Sequence, residues 1–184
     1  MSKHFFIVGP ARCRTAWLAA FLSYAGVHCH HEAVRLCEDG EGFKLLMEGA
    51  GVVGDSDSGV CLNVDWFLRE YPDARYLIVD RPFSHVVESV EKHFHVKIPA
   101  SSWEKVFTIY SEAREKLRAN ARYVLFDDLH ERHVVKDIWD YCTFDAPWDE
   151  AHYDLFKELV IQVPKSYDLT YQSGFMRELI AQRG

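Results

Sequence analysis

Phe5-Phe6-Ile7-Val8-Gly9-Pro10-Ala11-Arg12-Cys13-Arg14-Thr15-Ala16-Trp17-Leu18 is the stretch that decides how this chain folds. Four apolar residues closed by Gly-Pro read as a short strand covered on both faces, as in a parallel sheet. Thr15 to Tyr24 is helix-compatible, with Trp17, Leu18, Phe21 and Leu22 on one face and Gly26 as the stop. Two similar units lie further along. Ala74–Asp80 follows the turn-prone Tyr71-Pro72-Asp73 and leads through Arg81-Pro82 into a helix from Ser84 to about His93. Arg122–Phe126 ends in Asp127-Asp128, with a helix expected from Leu129 to Tyr141 and the two aspartates as its cap. Strands alternating with helices require right-handed crossovers and predict an α/β fold with a parallel sheet. Further helices are expected over Trp103–Asn120 and Asp149–Val160. Gly49–Gly59, rich in Gly, Ser and Asp, reads as a loop with room for a short strand at Gly51-Val52-Val53.

Composition bounds the rest. The 184 residues are 48% hydrophobic and 27% charged, which suits one folded domain spanning residues 1–184. A net charge of -7 argues against a broad grip on nucleic acid, so any anion site has to be local. The five cysteines are scattered with no CxxC pair, which favours free thiols and a cytoplasmic location. No signal peptide is expected around Met1–His4, and apolar runs such as Ala16–Leu22 fall far short of the roughly 20 residues that cross a bilayer.

The loop after the first strand carries the chemistry. In parallel α/β folds ligands bind where loops leave the carboxyl ends of strands, and a helix N-terminus there offers unpaired N–H groups to an anion. Gly9 permits a close turn, Arg12 and Arg14 add charge-assisted donors, and Thr15 brings a hydroxyl to the helix start. The expectation is a three-layer fold of the P-loop type, a central and mainly parallel sheet flanked by helices. The Walker A pattern GxxxxGK[ST] is not met, because no second Gly and no Lys precede Thr15, so a small-molecule kinase is disfavoured.

The segment GPARCRTAWL resembles the phosphosulfate loop of the sulfotransferases, GxPRSGTTWL, matching it at Gly9, Arg12, Thr15, Trp17 and Leu18. Cys13 stands where Ser is usual, Arg14 where Gly is usual, and Ala16 where a second hydroxyl residue is usual. A second segment, IVDRPFSHVVESV, resembles the RDPRDVVxS stretch of the family, with Arg81 and Ser89 eight residues apart and Val86-Val87 between them. The resemblance implies a donor, 3'-phosphoadenosine 5'-phosphosulfate (PAPS), and a product, adenosine 3',5'-bisphosphate. It implies that Gly9, Arg12, Cys13, Arg14, Thr15 and Ala16 hold the phosphosulfate and that Arg81 and Ser89 hold the 3'-phosphate. Arg12 would also stabilise the leaving phosphate. It covers roughly residues 4–130; the C-terminal RKG motif of the cytosolic enzymes is not present.

Sulfuryl transfer also needs a base for the acceptor's hydroxyl or amine proton. The cluster His28-Cys29-His30-His31-Glu32 follows the first helix, and some relatives use a Glu there, so Glu32 is the first candidate and His31 the second. Asp55 and Asp57 are further candidates, although short Asp/Ser segments more often form turns. The cluster lacks the spacing of a structural zinc site and reads instead as a surface turn, with no metal expected. Trp66, Phe67, Phe94, Trp103, Phe107 and Tyr110 read as core, some of them available to wall an acceptor pocket. The acceptor, a small molecule or a glycan, stays open. A non-catalytic nucleotide-binding module of the same fold is the alternative, consistent with the altered loop.

Overall fold

The computed structural model describes residues 3–183. Five strands form an all-parallel sheet: β1 (Lys3–Val8), β2 (Val27–His31), β3 (Val52–Ser56), β4 (Arg75–Asp80) and β5 (Ala121–Leu125), in the order β2-β3-β1-β4-β5. The chain leaves β1 through α1 (Thr15–Leu22), skips a place to β2, fills the gap with β3 and then crosses β1 to β4. The topological switch therefore lies at the carboxyl end of β1, where the Gly9–Arg14 loop emerges.

Alternation along the central strands builds the two cores. Phe5 and Ile7 of β1 with Leu77 and Val79 of β4 pack on α1 and α7 (Arg132–Cys142). Phe6 and Val8 with Tyr76 and Ile78 pack on the opposite face, against α2 (Ala33–Leu36), α3 (Gly40–Met47), α4 (Val64–Glu70), α6 (Ala100–Leu117) and α9 (Gly174–Ala181). The period of two in a strand puts neighbours on opposite faces, which explains why the apolar runs are continuous. The result is a three-layer, P-loop-like sandwich. No described helix is long and apolar enough to cross a membrane.

Two segments differ from expectation. His28–His31 belongs to β2, not to a surface turn, because Val27 and Cys29 point into the core while His28 faces out. Gly49–Gly59 contains β3, the strand between β2 and β1, and is not a loop. Its strand character was hidden because Asp55, Ser56 and Asp57 are polar yet buried. Gly54 is there for close approach: an added Cβ would fall 2.2 Å from the Phe5 ring.

Side-chain caps start several of the helices. Asp39, Asn63 and Ser173 accept from the backbone N–H groups of Gly42, Trp66 and Met176, starting α3, α4 and α9. Asp127 and Asp128 do not cap the helix from Leu129; they sit in a 3-10 turn, Phe126–His130, and α7 begins at Arg132. α5 (Phe83–Phe94) and α8 (Glu150–Phe156) complete the order. From Lys157 to Gln172 the chain runs without helix or strand before α9.

Candidate anion-binding site

Gly9 closes against the neighbouring strand: a Cβ there would lie 3.0 Å from the Val79 carbonyl oxygen and 3.3 Å from Cys13 Cβ. Its value to the loop is tight packing. The unusual backbone is carried three and five residues later, by Arg12 at φ 67° and by Arg14 at φ 61°. Left-handed geometry costs a side-chain-bearing residue about 1–2 kcal/mol. The position where the related motif has Gly thus keeps a glycine-like turn with Arg14 in place. Arg14 supplies part of the compensation, donating to the Leu129 carbonyl at 3.2 Å with its guanidinium 5.4 Å from the Trp17 ring centre.

Arg12 is where the two sequence motifs meet. Its Nε donates to Ser89 Oγ at 3.3 Å, and its own carbonyl accepts from Arg81 at 2.6 Å. A second guanidinium nitrogen donates to Gln162 Oε1 at 3.2 Å. Burial, then the nearby charge of Arg81, pull Arg12 below its ordinary pKa. Two guanidinium groups that raise one another's energy are relieved by an anion placed beside them.

The loop lines one side of a cavity of about 670 Å³, in the range of small-molecule sites. Gly9, Arg12, Arg14, Thr15 and Ala16 border it, together with His31, Glu32 and Asp57. Cys13 does not present its thiol there. Its side chain is fully buried in the core around Trp17, and burial pushes the thiol up to about 12 although Arg81 pulls the other way. Arg81 borders a separate cleft with Asp80, Phe107 and Arg114; its guanidinium lies 4.0 Å from the Phe126 ring centre, with Nε buried and unpartnered. Phe107 is 48% exposed and not core.

His31 Nε2 lies 3.3 Å from Thr15 Oγ1, so the hydroxyl at the helix start and the imidazole at the end of β2 form one polar edge. Burial lowers the His31 pKa, opposed by the charge of Glu32. Glu32 follows at φ 59°. Its conformation is pinned from below: Ala33 N–H donates to Asp55 Oδ1 at 3.2 Å and Val34 N–H to Asp57 Oδ2 at 3.0 Å. Asp57 also accepts from the Gly59 N–H. With both oxygens occupied by amides, Asp57 holds the loop beneath Glu32. Burial raises its pKa to about 7, against the pull of the Gly59 N–H. Asp55 rises well above the usual carboxylate range from burial and then from the Asp57 charge.

Three contacts across the cavity come from a segment that no local pattern marked. The Tyr167 hydroxyl donates to Glu32, which with burial raises the phenol's pKa. Arg35 lies 4.0 Å from the Tyr167 ring centre and 4.8 Å from that of Tyr171, and donates to the Asp168 and Tyr171 carbonyls. Gln162 reaches Arg12 from the same segment. Residues 161–172 form a strap across the cavity. Among the described residues no group of three His, Cys, Asp or Glu side chains converges as a metal site. Protein-family models and curated proteins were both compared with the chain, and neither comparison yields a match.

Proposed function

We propose that the protein is a PAPS-dependent sulfotransferase acting on a small-molecule hydroxyl or amine. The observation that carries this reading is Arg12, which gathers Ser89 by its side chain and Arg81 by its carbonyl at the head of a helix. The residues suit the donor: a loop beside unpaired helix amides, cationic side chains and a cavity of fitting size. PAPS, when bound, supplies the sulfuryl group and leaves as adenosine 3',5'-bisphosphate.

The chain's own residues do the rest. Arg12 and the first amides of α1 bind the phosphate oxygens, and Arg12 offsets the negative charge that grows on the departing phosphate. Arg81 and Ser89 hold the 3'-phosphate, with Arg81 turning from the Arg12 carbonyl to do so. Glu32 takes the acceptor's proton; Tyr167 orients its carboxylate, and His31 stands beside the Thr15 hydroxyl.

Calorimetric titration tests this, with adenosine 3',5'-bisphosphate against AMP and ATP. A charge-assisted hydrogen bond contributes about 1.5–3 kcal/mol, so the bisphosphate should bind at least about tenfold tighter than AMP. Equal binding overturns the 3'-phosphate assignment, and no binding overturns the sulfotransferase reading. The alternative, a nucleotide-binding module without turnover, is favoured by the Tyr167 hydroxyl already on Glu32. Tight bisphosphate binding without sulfuryl release from PAPS to any acceptor would select it.

A further inference from the structure

A second cleft, of about 660 Å³, lies between α6 and the edge strand β5. One of its walls is a single stripe of α6 and its C-terminal cap. Phe107, Ser111, Arg114 and Arg118 follow one another at steps of four, three and four residues, which a helix brings onto one face. Tyr123 of β5 and Phe83 of α5 also line it, with the Phe83 and Phe107 ring centres 5.0 Å apart. The Tyr123 hydroxyl donates to the Arg114 carbonyl at 3.0 Å. The Arg114 guanidinium lies 5.6 Å from the Tyr123 ring centre and pairs with Asp80 at 2.8 Å. Ring and cation are thus held in place before a ligand arrives, which lowers the cost of binding one.

We infer that this cleft binds a small planar aromatic carboxylate. Phe107 and Tyr123 both expose ring surface on it, and a flat ring laid against them buries that surface. The lining charges are three guanidinium groups, Arg81, Arg114 and Arg118, against two carboxylates, Asp80 and Glu115. That is a surplus of one positive charge on a molecule whose net charge is -7. One negative charge on the ligand balances the cleft, whereas a polyphosphate overfills it and a neutral ring leaves the surplus unused. Arg118 is the cation placed to answer. Arg81 is engaged by the Arg12 carbonyl and the Phe126 ring, and Arg114 by Asp80. Arg118 pairs with Glu115 at 3.3 Å, with 74% and 72% of the two side chains exposed, and such pairs contribute little. A ligand carboxylate therefore displaces Glu115 at small cost and gains a charge-assisted, bidentate contact. The site is separate from the main cavity: Val106 and Phe107, adjacent on α6, border the main cavity and the cleft respectively. Its ligand is thus additional to the proposed donor and acceptor.

The test titrates the full chain by calorimetry with 2-naphthoate and with 2-naphthalenemethanol, its neutral counterpart. A ligand of this size in a fitting site binds with a Kd below about 1 mM. 2-Naphthoate should reach that affinity and should bind at least about tenfold tighter than the alcohol. Phe107→Asp, which removes a ring and adds a negative charge, should weaken 2-naphthoate at least about tenfold, and Val106→Asp should leave it unchanged. Both side chains are already exposed on the same helix, so both variants keep the fold, as circular dichroism would verify. Arg118→Ala, at a position exposed to solvent, should weaken 2-naphthoate severalfold and the alcohol not at all. Failure of 2-naphthoate to bind overturns the inference. Equal binding of acid and alcohol, or an Arg118→Ala variant that binds the acid as wild type does, overturns the carboxylate assignment. Weakening by Val106→Asp equal to or greater than that by Phe107→Asp places the probe in the main cavity and overturns the site itself.

Discussion

Replacing Glu32 by Gln keeps an oxygen for the Tyr167 hydroxyl but removes the proton acceptor. Turnover should fall by about 10²–10⁴ with bisphosphate affinity unchanged, which steady-state kinetics beside calorimetry would show. Unchanged turnover would move the role to His31. A different logic applies to Asp55. Its folded-state pKa lies above the unfolded value, so its stabilising share is complete below the unfolded pKa and is lost as pH rises through the folded one. Asp55→Asn keeps an acceptor for the Ala33 N–H and cannot ionise. The variant should gain stability relative to wild type as pH increases from 5 through 7 to about 8.5, read from urea midpoints. Parallel midpoints would mean that Asp55 is not held protonated.

At the level of elements, β3 is the informative strand. Gly54→Ala drives a Cβ into the Phe5 ring, which is fully buried on the sheet's central strand and has nowhere to turn. Overpacking of this kind costs about 1–3 kcal/mol, measurable by urea denaturation. The same strand shows what a sequence conceals. β1, β4 and β5 announce themselves by continuous apolar runs, and α1 by its buried face of Trp17, Leu18, Phe21 and Leu22. β2 and β3 carry His, Asp and Ser, because their carboxyl ends serve the site and not the core. Asp55 and Asp57 accept from amides at the start of α2, contacts that no local pattern contains, while Asp55 Oδ2 and Ser56 Oγ stay buried without a partner. The loop arginines and Glu32 were legible because each sits next to a strand or helix end. Arg35, Gln162 and Tyr167 were not, since they matter only through pairing across more than a hundred residues.

Across the whole molecule, one anchor of the strap is Arg35, set between two tyrosine rings and two carbonyls. Removing that side chain as Arg35→Ala should leave the distant sheet intact and loosen residues 161–172. Trypsin would then cut after the exposed Lys165 severalfold faster than in wild type, with circular dichroism unchanged. Equal cleavage rates would show that other contacts hold the strap.

The arginines of the loop have a kinetic consequence. Among the described residues, Arg12, Arg14 and Arg81 share no salt bridge with a carboxylate, while the chain as a whole carries a charge of -7. A polyanion approaching from far away meets net repulsion, and meets attraction only near the loop. Salt shortens the reach of both, from about 30 Å at 0.01 M to about 8 Å at 0.15 M, and so erases the distant repulsion first. Encounter with an anionic nucleotide should therefore speed up as salt is first added, the reverse of the steering seen when protein and ligand carry opposite net charge.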